Sequence, residues 1–205
     1  LSKDFHAIFH LAAIIGVRHV LNKPYSVLHD NFQMLANIIK LCKTQREGFS
    51  RLLFASTSEI YAGTLNYYDM PIPTPENIPL TVSDLSEPRT SYMLSKLYGE
   101  ALCHQSDLPF TIFRPHNVYG PRMGMSHVIP EQMQKAYSAK KGDSIEVFSV
   151  DHTRSFCYID DAIEMLALML ENDSCDGLTL NLGSESPEIS ILDLVKECHK
   201  FLNKE

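Results

Sequence analysis

The chain has 205 residues, 44% of them hydrophobic and 21% charged. That is ordinary globular composition, with enough apolar material for a core. A formal net charge of -7 and the absence of any basic run exclude a phosphate track for nucleic acid, while leaving room for a small anion held by a few arginines.

The longest apolar stretch, Ile159 to Leu170, carries Asp160, Asp161 and Glu164, so no membrane span is expected. The opening residues LSKDFHAIFH lack the charged, apolar and small-residue order of a secretory signal. Cys42, Cys103, Cys157, Cys175 and Cys198 are odd in number and contain no CxxC pair, which reads as reduced thiols in a cytoplasmic protein. His6 and His10 sit in a segment that reads as strand, where a four-residue spacing makes no compact ligand pair. No protein-bound metal is expected.

In chain order, Ala7–Ala13 is a short apolar run ending in small residues, as a buried parallel strand would. Pro24–Lys43 has helical periodicity, with Val27, Phe32, Leu35, Ile38, Ile39 and Cys42 forming an apolar stripe. Arg51–Ser56 is the next strand. Gly63–Pro88, with Pro71, Pro73, Pro75, Pro79 and Pro88, reads as a long linker too proline-rich for helix or central strand. Ser91–His104 reads as helix and Phe110–Arg114 as a strand stopped by Pro115. Beyond them come a helix at Ile129–Lys141, a strand at Ser144–Ser149, a helix at Ile159–Glu171, a strand at Leu178–Leu182 and a helix at Ser190–Asn203. Ser190 and Asp193 are spaced as a capping box for that last helix. The order predicts an α/β fold with a parallel sheet.

Sites in such sheets lie beyond the carboxyl ends of the strands. Those ends deliver Ala12–Ala13, Ser56–Thr57–Ser58–Glu59 and Pro115–His116–Asn117. Tyr92 and Lys96, at i and i+4, share a helix face. They read either as a surface lysine lying along a ring, or as an acid/base pair in which the ammonium favours the phenolate. Thr57 is placed to orient a substrate oxygen, and Glu59 to take a second proton.

YMLSK, with Ser and Thr upstream at a strand end, resembles the active site of short-chain dehydrogenases/reductases. FHLAA, FASTSEIYA, SYMLSKLYGE, FRPHNVYGPR and TRSFCYIDDA, in that order, resemble the extended branch that acts on nucleotide sugars. The resemblance runs from about Phe5 to Phe201. It implies a Rossmann-like NAD-binding half over 1–115 and mainly a smaller α/β substrate-binding lobe over 116–205, interleaved with it. It also implies that Tyr92 is the catalytic base, that Lys96 is its partner and a ribose contact, and that Thr57 lies beside the reacting carbon. Ala12, Ala13, Asn31, Ser56 and Pro115 match positions that line NAD. Asn117 and Arg154 match residues that hold the diphosphate, and Phe148 an aromatic packed on the base. The implied chemistry oxidises a sugar carbon, usually C4, to a keto intermediate that is then epimerised, dehydrated or decarboxylated. Thr57–Ser58–Glu59 leans slightly away from a simple 4-epimerase. A homodimer through the helices at Pro24–Lys43 and Ser91–His104 is also implied.

The sequence departs from the family pattern in three places. No glycine-rich turn of the dinucleotide-binding kind is present. FHLAA matches the family's fourth strand, so the sheet is expected to be incomplete and the chain to be a fragment rather than a naturally short relative. Ala62 stands where the family usually has glycine. A different class, a non-catalytic binding or assembly module, draws support from the missing glycine turn. A serine hydrolase is disfavoured, because no GxSxG elbow surrounds Ser56 or Ser58.

Overall fold

The computed structural model describes residues 4–45, 48–140 and 142–202. The elements run β1 (Ala7–His10), α1 (Val17–Asn22), α2 (Pro24–Lys43), β2 (Arg51–Ala55), α3 (Ala62–Tyr67), α4 (Thr90–His104), β3 (Phe110–Pro115), β4 (Val118–Tyr119), α5 (Val128–Ser138), β5 (Thr153–Ser155), β6 (Cys157–Tyr158), α6 (Ile159–Glu171), β7 (Thr179–Leu182), β8 (Glu188–Ser190) and α7 (Ile191–Phe201). They form two compact units, Leu1–Pro115 with Glu164–Leu182, and His116–Ile163 with Gly183–Glu205; the boundary falls within α6.

The first unit holds the expected parallel α/β sheet, in the strand order β1-β2-β3-β7. β2 and β3 read as nearly unbroken apolar runs because both their faces are covered. Leu52 and Phe54 of β2, with Phe110 and Ile112 of β3, meet Leu35, Ile39 and Cys42 of α2 and Cys103 of α4 in one core. α4 lies so close to β2 that a Cβ on Gly99 would stand 2.5 Å from the Phe54 ring. At the other end of β2, the buried Arg51 donates to the carbonyls of Met169 (2.5 Å) and Asn172 (2.9 Å), capping the C-terminal end of α6.

Several expectations shift. β1 ends at His10, so Leu11–Ala13 leave the sheet before Ala12 is reached. The helix α1 escaped notice because it is only six residues long and mostly exposed. Gly63–Pro88 is not all linker: α3 occupies its start, since residues 62–67 contain no proline and the first proline stands at position 71. The remainder lacks regular structure but is not loose. Met70, Ile78, Leu80 and Val82 pack on Ile60, Tyr61 and Met93. Thr64 donates to Pro79 O and accepts from Thr81 N. Gly63 touches Thr81 so closely that a Cβ would fall 1.8 Å from its carbonyl oxygen. The exposed Ala62 needs no glycine; its neighbour does.

In the second unit β4 pairs with β6 in parallel and β5 with β8 antiparallel. Ser144–Ser149 forms no strand: Val147 packs on Ile191, Leu194 and Cys198, but the segment finds no ladder partner among the described residues. α7 is capped as the spacing predicts, Ser190 Oγ accepting from Asp193 N at 3.0 Å. Asn203 and Lys141, expected at helix ends, lie outside the described residues. No described helix is long and apolar enough to cross a membrane.

Candidate functional site

Three strand ends of the first unit bring the polar groups. After β2 the chain turns into a 3-10 helix, Ser58–Tyr61, capped by Thr57 Oγ1, which accepts from Glu59 N at 3.2 Å. Thr57 is buried and lies beside Tyr92, whose ring sits half-buried on α4. Burial pushes the Tyr92 phenol up to about 12; the nearby Glu59 carboxylate adds to this and the Thr57 hydroxyl opposes it. Glu59 is itself raised, by its partial enclosure, with Arg89 pulling the other way.

Lys96 is 3% exposed. Its Nζ donates to Ala55 O at 2.6 Å and lies 5.8 Å from the centre of the Tyr92 ring. Burial pulls its pKa down to about 8. The pair therefore shares a face as the spacing predicts, but the ammonium is committed to a strand-end carbonyl and not to the phenol. At rest the Tyr92 phenol pKa is raised, burial outweighing whatever downward pull the ammonium exerts.

The positions matched to NAD divide into two kinds. Ala12 is exposed and Ala13 half-buried at the end of β1, and Pro115 closes β3. Asn31 and Ser56 face inward. Asn31 clamps the backbone after β1, accepting from Ile14 N at 2.6 Å and donating to Ile14 O at 3.1 Å and Ser95 Oγ at 3.2 Å. Ser56 donates its hydroxyl to Glu100 Oε1 at 2.5 Å.

Glu100 opens a network that no motif reading singled out. It forms a bidentate ion pair with Arg114, 2.9 and 2.7 Å, the two side chains being 6% and 4% exposed. Arg114 also donates to Tyr61 Oη (2.6 Å) and Glu76 O (2.9 Å), and Tyr61 donates to Asn181 Oδ1 (2.8 Å). The sequence signal was available: Glu100 stands one helical turn after Lys96, and an arginine inside an apolar strand demands a partner. His10 was also passed over except as a possible ligand. Its buried ring stacks on Phe54, 6.0 Å between centroids, and burial, then Lys96, pulls it down to about 4. No cluster that could hold a metal occurs among the described residues.

In the second unit Asn117, Phe148 and Arg154 line one cleft of about 290 Å³, with Gln132, Lys135 and His152 among the other walls. Asn117 takes a left-handed backbone (φ 44°), which asparagine tolerates, and donates to Ser155 O at 3.1 Å. Arg154 is exposed, donates to Thr153 O at 2.7 Å, and helps lower the His116 pKa, which burial depresses first. The Phe148 ring is 70% exposed. Ser58 begins the 3-10 helix and is half-buried.

Residues 1–183 match the NAD dependent epimerase/dehydratase family. A UDP-N-acetyl-alpha-D-glucosaminuronate decarboxylase of Bacillus cytotoxicus is 33% identical over 209 residues, covering 98% of this chain and 60% of the relative. An uncharacterized UDP-glucose epimerase of Bacillus subtilis is 31% identical, covering 95% and 58%. A UDP-glucuronic acid 4-epimerase from Bacillus cereus, solved with UDP-glucuronic acid and NAD, superposes with a TM-score of 0.77 at 26% identity, covering 98% of this chain and 60% of that one. The chain thus spans about 60% of the length of the curated relatives it matches. By the extent of the family match and these likenesses, the chain belongs to the NAD dependent epimerase/dehydratase family.

Proposed function

We propose that this chain carries the proton-transfer half of an NAD-dependent enzyme that modifies a nucleotide sugar through a 4-keto intermediate, as epimerase, 4,6-dehydratase or decarboxylase. The observation that carries the reading is the conjunction at the end of β2: the half-buried Tyr92, the Thr57 hydroxyl beside it, and the buried Lys96 ammonium 5.8 Å from its ring. Tyr92 rests as a phenol, with its pKa at about 12. As the proton of a substrate hydroxyl moves, Lys96 is the cation nearby that favours the phenolate, and Thr57 orients the same oxygen. Glu59, with its affinity for a proton raised, is the second acid/base that dehydration or decarboxylation needs. Ser58 joins Thr57 and Glu59 in this turn.

One end of NAD is assigned to the strand ends. We assign Ala12, Ala13, Asn31, Ser56 and Pro115 to the nicotinamide and its ribose, a reading supported by the small side chains of Ala12 and Ala13 and by Asn31 bonding the backbone at Ile14. Bound NAD supplies the hydride acceptor. The sequence holds no glycine-rich turn for its pyrophosphate. Asn117 and Arg154 hold the substrate diphosphate, and Phe148 packs on its base; arginine suits phosphate through its bidentate fork. A cytoplasmic homodimer joined by α2 and α4 completes the proposal, supported by the exposed Tyr25, Leu28 and Tyr98 on those helices.

The decisive assay incubates the chain, and any longer polypeptide containing it, with NAD and UDP-glucuronate, UDP-N-acetylglucosaminuronate or UDP-glucose. Carbon dioxide release, C4 inversion and water loss identify the branch. Tyr92→Phe is expected to abolish turnover while UDP binding persists; full turnover in that variant ends the reading. UDP binding with neither NAD binding nor turnover would favour the non-catalytic module.

A further inference from the structure

Lys96 is a buried cation whose pKa burial alone lowers, with no carboxylate offsetting the loss of water. Its ammonium has three N–H donors, and among the described residues one oxygen, Ala55 O, takes a bond from it. Glu100, the carboxylate one helical turn on, is committed to Arg114 and Ser56. His10, with its pKa at about 4, is uncharged at neutral pH and adds nothing to the balance. What else answers the charge is a ring. Lys96 Nζ lies over Phe54, 5.1 Å from its centroid, nearer than the 5.8 Å to the Tyr92 ring. A cation within about 6 Å of a ring face is attracted by the ring quadrupole, most strongly where water is excluded. Both partners are buried, Phe54 as deeply as Lys96.

We propose that Phe54 is a positioning residue: its ring is the seat that holds the Lys96 ammonium between the end of β2 and the Tyr92 phenol. Neighbours on β1 and α4 hold that ring still. His10, its register partner on β1, stacks on it with the two planes 14° apart. On α4, Gly99 stands three residues after Lys96, on the same helix face. The tip of the ring fills the space that this glycine leaves, since a Cβ there would fall 2.5 Å from Phe54 Cζ. A leucine or valine would also pack at a core position of β2; an aromatic ring adds the negative face that a desolvated ammonium can use. That the seat serves proton transfer rests on the proposed reading of Tyr92 and Lys96. That it holds the ammonium does not.

The test is NMR titration of the Lys96 Cε resonance, identified by its loss in Lys96→Met. Wild type is compared with a protein carrying 2,6-difluorophenylalanine at position 54, installed by nonsense suppression. Fluorine drains the negative face of the ring while keeping its shape, and the two fluorines sit at Cδ, away from Gly99. The fluorinated protein is expected to titrate about half to one pH unit below wild type, because the charged form loses part of its support. A merely structural ring would leave the midpoint where it was. Phe54→Leu removes the ring altogether, and the Lys96 ammonium protons are then expected to exchange with water about tenfold faster. An unchanged or higher midpoint on fluorination, or unchanged exchange in Phe54→Leu, would overturn the inference. All readings are taken without NAD or sugar, so the two proposals fail separately. If the seat fails while Tyr92→Phe still abolishes turnover, the catalytic reading stands without it. If the seat holds and no turnover is found, the seat stands and the catalytic reading falls.

Discussion

Replacing Lys96 with methionine should stabilise the protein at neutral pH and destabilise it in alkali. Burial draws the Lys96 pKa from 10.5 down to about 8. As pH falls below about 10.5 the unfolded chain takes up this proton, while the folded protein does so only below about 8, so stability drains away across that window. By pH 7 the loss amounts to about 3 kcal/mol. Methionine removes it, but leaves Ala55 O without the donor now 2.6 Å away, at a cost of about 1–2 kcal/mol. The variant should therefore gain about 1–2 kcal/mol at pH 7, or roughly 2–8 °C in Tm for a chain of this size. At pH 10.5 the gain vanishes and the variant should be less stable than wild type by about 1–2 kcal/mol, from the orphaned carbonyl alone. Urea unfolding followed by circular dichroism at pH 7, 8, 9 and 10.5, on both proteins, measures the difference. A difference that stays constant across that range, or a variant less stable at pH 7, would refute the reasoning.

Four other outcomes follow from the geometry. His10 is drawn from 6.5 to about 4, so its contribution is lost as pH falls through that interval, by about 3 kcal/mol at the acid end; in His10→Phe the acid limb of the stability–pH curve should flatten. Glu100→Gln leaves the Arg114 guanidinium buried without its counter-charge, and urea titration should show about 3–5 kcal/mol of destabilisation. Gly63→Ala drives a methyl into the Thr81 carbonyl and should cost about 1–3 kcal/mol, whereas Ala62→Gly should cost no more than about 1 kcal/mol. Asn31→Ala frees the backbone at Ile14, and hydrogen exchange at that amide should rise while the β2 amides keep their protection.

Periodicity and composition carried the large elements, because α2 and α6 bury broad stripes that only a 3.6-residue repeat explains. Short elements were illegible for a physical reason. The two-residue strands β4 and β6 have no pattern of their own and exist through their pairing. Ser144–Ser149 shows the reverse: a strand-like composition with nothing to pair against among the described residues. The candidate site followed the same division. Residue types and order located Thr57, Tyr92 and Lys96, since chemistry of that kind requires those groups. Where Lys96 sends its proton could not be read, because Ala55 O lies 41 residues away in sequence. The Glu100–Arg114 pair was signalled only by an arginine inside an apolar strand, and the Gln132 acceptor, unpaired among the described residues, depends on distances that only the folded chain has.

Among the described residues β1 has a strand neighbour on one side only, with Phe9, Leu11 and Ile15 exposed on or near it. In a parallel sheet such an open flank is an adhesive surface, because its backbone amides and carbonyls offer a ready-made template to any extended segment nearby. For anyone preparing this chain the consequence is practical. Concentration should drive association through Ala7–His10 as well as through the helices, and Phe9→Lys is the change expected to reduce the former.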